Sequence, residues 1–369
     1  MKMEQTIKPF INVSPGQIIK RCLKSLNWTN RDLADVIGIS EKSVSQLINN
    51  KQSITVETAI LLSKAFNTSP ELWLNLEQNY KLQKSLSLCD KDDVSIKAKI
   101  RRFMPMLEMR KKGWITFDNS EESQLRAYKN FWMLTDIDFS HFEKSVAIFK
   151  RQKKHNEEYT LYYTITWLRK AKIEASKIKV RAYNRNSLEK LAESISAWTI
   201  KDDGVNLFIE KLQKCGVKFF ILSHLTKTYL DGAVFWDEQN PVIVYTARHN
   251  RLDNFWWTVA HEIGHILLHS DSDEKFFIDN LDDKPYNELE KEADSYARRV
   301  FWVDEILKQA SHYKKYFTEA RLLEISNSLK IHPSVVLGII QFNGLVDYRT
   351  LPRYRTAFWE LINKEFIKG

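Results

Sequence analysis

The chain has 369 residues, 43% of them hydrophobic, with 11 Trp and 20 Phe, enough for two or three domains with real apolar cores. Its net charge of +9 favours a polyanionic partner, nucleic acid first. Three scattered cysteines (Cys22, Cys89, Cys215) exclude a disulfide framework or a cysteine-based zinc site and suit a reducing cytosol. No run of about 18 uncharged apolar residues exists, which excludes a membrane span, and Met1–Pro9 lacks an apolar signal core, so the expected setting is cytoplasmic.

Residues 14–80 read as short helices. Ser14-Pro15-Gly16 opens the first with a capping Ser and a Pro at the first helical position, and Ile18, Ile19, Cys22, Leu23 and Leu26 come after it at helical spacing. A second helix starts near Asn30 and carries Leu33, Ala34, Val36 and Ile37. Gly38-Ile39-Ser40 is a turn in which Gly38 can turn left-handed and Ser40 can cap the third helix. That helix, Glu41 to Asn49, buries Val44, Leu47 and Ile48. Two helices joined by a short Gly-containing turn, the second with a polar outer face, make a helix-turn-helix pattern. There the second helix enters the major groove of duplex DNA and its early residues reach base edges. Here those are Glu41, Lys42, Ser43, Ser45 and Gln46, with Lys51 and Gln52 placed for phosphates.

Residues 81–115 are charge-rich, with Lys97, Lys99, Arg101, Arg102, Arg110, Lys111 and Lys112. They read as a helical connector whose basic face is solvated or adds phosphate contacts. Helical patterns come next at Phe142–Lys154 and Tyr159–Lys172, then a basic stretch from Lys170 to Arg185. From about residue 205 the pattern changes. Val217–Leu222 is β-prone after Gly216, and 232–236 and 242–246 flank the polar turn 237–241 as a hairpin. A small antiparallel sheet is therefore expected before the next helix, and a strand beside a site there can bind an extended peptide by edge pairing.

Residues 258–269 read Thr-Val-Ala-His-Glu-Ile-Gly-His-Ile-Leu-Leu-His. His261 and His265, four apart on a helix, point the same way and can share one metal ion. Glu262 is placed to take a proton from a water at that metal. These are the parts of a zinc peptidase at the spacing it needs. A third protein ligand is required, and a second helical segment offers Glu288, Glu290 and Glu292. Glu290 and Asp294, four apart, can both face the histidine helix; Glu290 could bind the metal and Asp294 could fix a ligand histidine's tautomer. His269 lies about 80° further round the helix than His261. Because the three-histidine zinc pattern wants its last His later, after a Gly, His269 reads as a polar residue at the helix end. Helical patterns return at Leu322–Leu329, Ser334–Phe342 and Tyr354–Ile362.

Two families resemble parts of this chain. Residues 14–80 resemble HigA-type antitoxins of the Xre helix-turn-helix family, on Ser14-Pro15-Gly16, Leu33-Ala34, Gly38-Ile39-Ser40, Ser45–Asn49, Ile54-Thr55, Ala59 and Thr68–Leu76. The resemblance implies a dimer that binds operator DNA at palindromic half-sites and represses its own operon, often beside a cognate toxin. Residues 186–345 resemble the ImmA/IrrE zinc metallopeptidases, on Gly232-Ala233, Phe255-Trp256, Val259–His269, Glu290–Ala297 and Ile331–Val336. That likeness implies Zn²⁺ held by His261, His265 and, by position, Glu290, with Asp294 where the family has Asn or Asp. It also implies cleavage of helix-turn-helix repressors. The run Arg298–Val303 departs from the family, which shows small or acidic residues and a Pro there.

The expected architecture is multidomain and mainly α: a helix-turn-helix domain over 1–80, a connector over 81–185, a zincin-like (gluzincin-like) domain with a small antiparallel sheet over 186–310, and a helical extension over 311–369. The expected function is a DNA-binding regulator or antitoxin fused to a zinc endopeptidase that cleaves a repressor- or antitoxin-type protein, this chain included. Glu262 is the general base, and Tyr245, His249 and Tyr296 are candidates for stabilising the oxyanion. The alternative is a non-proteolytic regulator whose peptidase-like domain senses a ligand or binds a partner.

Overall fold

The computed structural model describes residues 13–88, 92–140, 158–270, 276–279, 288–312 and 317–369. Met1–Pro9, Cys89 and the helical pattern at Phe142–Lys154 lie outside the described residues. The chain divides into two compact units, Met1–Ile96 and Lys97–Gly369. Residues 97–185 of the expected connector thus count with the second unit. Among the described residues no helix is long and apolar enough to cross a membrane.

Unit 1 is built from α1 (Pro15–Leu26), α2 (Asn30–Ile37), α3 (Glu41–Ile48), α4 (Val56–Phe66) and α5 (Pro70–Leu88). The first four start on side-chain caps. Ser14 and Gln17 form a reciprocal capping box, as do Thr29 and Asp32, while Ser40 and Thr55 accept from the amides of Ser43 and Thr58. Each cap contributes about 0.5–2 kcal/mol. Gly38, at φ 72°, ends α2 and sets up the turn into α3. Ile19, Leu33, Val44, Leu47, Ala59, Leu62 and Trp73 meet in one apolar core. The Trp73 ring is fully buried and its Nε1 donates to Thr68 Oγ1 at 2.9 Å.

In unit 2 much of the basic stretch is engaged internally. Lys97 pairs with Glu121 at 2.5 Å, Arg101 donates to Gln124 at 3.2 Å and Lys112 to Ser223 at 2.8 Å. The sheet comprises β1 (Lys218–Ile221), β2 (Gly232–Asp237), β3 (Asn240–Tyr245) and β4 (Phe276–Asp279), in the order β1-β3-β2-β4. β2 and β3 form the expected hairpin, Asp237 opposite Asn240, and β4 adds antiparallel to β2. β1, however, pairs parallel with β3, Phe219 opposite Ile243, so the sheet is mixed and not antiparallel. The physical reason lies in β1 itself. All four of its residues are buried, the continuous run of a strand covered on both faces, and the helix Gly204–Lys214 packs against it.

The helix Leu252–Leu268, here called the histidine helix, packs on β2 and β3, on the helix Glu288–Val300 (the acidic helix) and on the helix Pro333–Phe342. Phe255, Trp256, Val259, Ala260, Ile263 and Ile266 are all fully buried, the all-round burial of a central helix. The segment 354–362 is not an α-helix but irregular chain with short 3-10 turns at Pro352–Tyr354 and Phe358–Glu360. Its polar groups bond elsewhere: Thr356 O accepts from Leu252 N at 3.0 Å and Trp359 N donates to Asn250 Oδ1 at 2.9 Å. Phe358 stacks on Phe255 at 4.8 Å. Together they anchor the start of the histidine helix.

Candidate metal centre and candidate nucleic-acid interface

His261 and His265 rise one turn apart on the buried histidine helix, with Nε2 atoms 3.0 Å from each other. Glu290 Oε2, from the acidic helix, lies 3.4 Å from the first and 3.5 Å from the second. The other two carboxylates that the sequence offers point away: Glu288 pairs with Lys291 at 2.6 Å and Glu292 with His269 at 2.8 Å. Asp294 Oδ1 is 2.9 Å from His261 Nδ1. A carboxylate only accepts, so His261 carries its proton on Nδ1 and turns the unprotonated Nε2 toward Glu290. Three ligand atoms, one from each of His261, His265 and Glu290, thus gather within 4.8 Å of one another. Ligands about 2.05 Å from a tetrahedral zinc are about 3.3 Å apart, so the N₂O set fits that ion.

Glu262 is fully buried beside this cluster. Its carboxylate packs against β2 at Gly232, where an added Cβ would sit 2.1 Å from Glu262 Oε1 and 2.7 Å from Thr258 Cγ2. Only glycine leaves room there for the carboxylate. Phe277 of β4 stacks on the His265 ring at 4.3 Å and 16°. It closes one face of the site. At the far end of the histidine helix Arg185 Nη2 donates to Leu267 O at 2.5 Å, satisfying a terminal carbonyl.

The three oxyanion candidates differ sharply. Tyr245 is wholly buried and its hydroxyl donates to Asn254 Oδ1 at 2.8 Å; burial drives that hydroxyl well above its ordinary pKa. Tyr296 is buried too, and burial, partly offset by Arg299, pushes it up to about 12. Only the His249 side chain is substantially exposed, at 40%, with Nε2 3.7 Å from the buried Asp231 carboxylate. Asp231 immediately precedes Gly232. In the run that departs from the family, Arg298 pairs with Asp304 at 2.5 Å and Trp302 is exposed with φ 54°.

His269 caps the end of the histidine helix, as its position suggests, and stands outside the His261, His265 and Glu290 cluster. It is buried, and its Nδ1 lies 3.0 Å from His265 Nδ1. Burial lowers its pKa, partly countered by the hydrogen bond to Glu292. The four-residue spacing from His265 carried the signal for that contact. Gly232 belongs to the family resemblance but nothing in the sequence points to its contact with Glu262, and Asn50 carries no signal there. Asn50, at φ 54°, accepts from Gly16 N at 3.0 Å and donates to Ser14 Oγ at 3.0 Å, tying the end of α3 to the start of α1.

On α3, Val44, Leu47 and Ile48 face the core. Glu41 and Lys42 are exposed in its first turn, Ser43, Ser45 and Gln46 are half-buried, and Lys51 is exposed in the turn after it. The residues expected at DNA are thus all at least partly accessible, and Ser43 Oγ also bonds Ser40 Oγ at 2.9 Å.

Comparison with known proteins finds one family match within each unit. A family described as Helix-turn-helix matches residues 19–73, and one described as IrrE N-terminal-like domain, a peptidase family, matches residues 203–336. An uncharacterized HTH-type transcriptional regulator of Haemophilus influenzae is 36% identical over 84 residues, 20% of this chain and 78% of that protein. Antitoxin HigA-1 of Vibrio cholerae is 36% identical over 66 residues, 18% of this chain and 62% of that one. Among solved structures, an addiction module antidote protein of the HigA family from Coxiella burnetii is 31% identical, covering 25% of this chain and 95% of that chain, with a TM-score of 0.21.

Proposed function

We propose, for a chain that belongs to the helix-turn-helix regulators through its N-terminal unit and carries an IrrE-like peptidase domain in its C-terminal one, that it is a DNA-binding regulator fused to a zinc-dependent endopeptidase. The observation that carries the reading is the convergence of His261 Nε2, His265 Nε2 and Glu290 Oε2 within 3.0–3.5 Å, one residue from the buried Glu262. His261, His265 and Glu290 hold the metal. Zinc bound there supplies Lewis-acid chemistry, making water nucleophilic near neutral pH and polarising a carbonyl. Glu262 takes the proton of the attacking water on its carboxylate and passes it to the departing amide nitrogen. Asp294 keeps the His261 proton on Nδ1, and Phe277 keeps water off one face of His265. Among the described residues β4 is an edge strand, and its outer edge suits an extended peptide paired backbone to backbone.

The substrate is a repressor- or antitoxin-type protein, the chain's own helix-turn-helix unit included. A homodimer places two copies of α3 in successive major grooves of a palindromic site, with Glu41, Lys42, Ser43, Ser45 and Gln46 at base edges and Lys51 at phosphate. The test is intact-mass spectrometry of zinc-loaded full-length protein. Wild type is mixed with a tagged Glu262→Gln chain, and each is also incubated alone. Cleavage of the tagged chain by wild type, with the variant inert alone, supports the reading. Identical spectra with duplex binding retained leave a regulator whose peptidase-like domain senses a ligand or binds a partner.

A further inference from the structure

We infer that His269 and Glu292 form a positioning relay that fixes the tautomer of His265 and thereby sets the affinity of the centre for zinc. The inference rests on the metal-centre reading above and adds two residues to it. The geometry is a chain of four contacts running across the centre. Asp294 Oδ1 lies 2.9 Å from His261 Nδ1, the two Nε2 atoms face each other at 3.0 Å, His265 Nδ1 lies 3.0 Å from His269 Nδ1, and His269 Nε2 lies 2.8 Å from Glu292 Oε2.

Proton placement is set from the ends inward. Glu292 only accepts, so the proton of neutral His269 sits on Nε2 and its Nδ1 becomes an acceptor. His265 must then donate from Nδ1, which turns its unprotonated Nε2 toward Glu290 and His261. His261 reaches the same state in one step through Asp294, and His265 in two steps through His269 and Glu292. With both Nε2 atoms unprotonated and a carboxylate oxygen beside them, three lone pairs converge, an arrangement that suits a cation. If His269 instead donated through Nδ1, His265 would have to accept there and carry its proton on Nε2, between the two ligand nitrogens, in competition with the metal. Glu292 therefore decides which proton pattern holds. Phe277 lies against both rings, 4.3 Å from His265 and 5.6 Å from His269, and offers no competing acceptor. Outer partners of ligand histidines commonly change metal affinity by about 10–100-fold when removed.

The experiment is zinc affinity of the full-length chain, measured by competition with a chelating indicator of known affinity. Glu292 is 58% exposed while His269 is 3% exposed, so Glu292→Ala removes the outer end of the relay without opening the core. It should weaken zinc by about 10–100-fold while thermal unfolding of the zinc-free protein stays where it was. His269→Ala should weaken zinc to the same extent, with a lower unfolding temperature of its own because it empties a buried position. His269→Asn keeps an acceptor oxygen near the Nδ1 position; it should restore most of the affinity and make a further Glu292→Ala silent. His265→Ala is the control for the site itself. If His265→Ala loses zinc while Glu292→Ala and His269→Ala stay within about threefold of wild type, the relay is wrong and the centre stands. If wild type takes up no zinc, or His265→Ala keeps it, both fall together.

Discussion

Replacing Gly232 by Ala places a methyl group where the structure has a carboxylate. The new Cβ would lie 2.1 Å from Glu262 Oε1, 3.1 Å from Glu262 Cδ and 2.7 Å from Thr258 Cγ2. Ordinary carbon contacts begin near 3.5 Å, so Glu262 or the strand must move by about 1 Å. Both sit in a core, β2 between β3 and β4 and the histidine helix beneath, and overpacking of this kind costs about 1–3 kcal/mol. In a unit of this size each kcal/mol lowers the melting temperature by about 2–4 °C, so differential scanning calorimetry should record a fall of several degrees. Zinc content should not change, because none of the atoms that collide belongs to His261, His265 or Glu290. A double-mutant cycle isolates the cause. Glu262→Ala removes two of the three colliding atoms, so Gly232→Ala should cost clearly less in that background, with a coupling of about 1 kcal/mol. Glu262→Gln keeps the shape and should give no such relief. An unchanged melting temperature in Gly232→Ala, or costs that simply add in the double variant, would refute the packing argument.

Three further outcomes are expected. Trp73→Ala empties a fully buried site in the unit 1 core and should cost about 3–5 kcal/mol, seen as a lower urea midpoint for unit 1 and as lost duplex binding; Trp73→Phe, which gives up mainly the bond to Thr68, should cost less. Lys42→Ala and Lys51→Ala should each weaken binding to a mixed-sequence duplex and reduce the slope of log affinity against log salt by about 1, and an unchanged slope removes that lysine from the interface. The Asp32 carboxyl is held below its usual range first by the Thr29 amide and then by its hydroxyl. Because its folded pKa is lowered, its contribution is present above the unfolded value and is lost as pH falls through the folded one; Asp32→Asn should therefore flatten the acid limb of unit 1 stability below about pH 4, and an unaltered limb contradicts that role.

Local chemistry is the legible part of this chain. The caps Ser14 and Ser40, the turn at Gly38 and the core positions Val44, Leu47 and Ile48 can be read from side-chain spacing alone, because short helices depend on neighbours three and four residues away. The facing of His261 and His265 comes from the same helical period, which also lets Glu290 and Asp294 face them, while the choice of Glu290 over Glu288 and Glu292 comes from the resemblance to the ImmA/IrrE metallopeptidases. The illegible part depends on contacts between distant segments. β1 reads as a strand, but its parallel partner is chosen by burial on both faces. The segment 354–362 has apolar residues at helical spacing, yet its backbone bonds to residues 250–252 instead of to itself. Gly232 reveals its role only when Glu262, thirty residues later, is laid against it. His269 reads, correctly, as a helix end, but its contact with Glu292 is hidden because that partner comes from another helix.

The proposed function depends on whether His261, His265 and Glu290 bind a metal, and the most direct measurement is zinc content by mass spectrometry of the purified full-length chain, wild type beside His265→Ala and Glu290→Ala. A working centre requires about one zinc per wild-type chain, as for a single tetrahedral site, and little or none in either variant. Zinc absent from wild type even after it is offered, or retained in both variants, would contradict it.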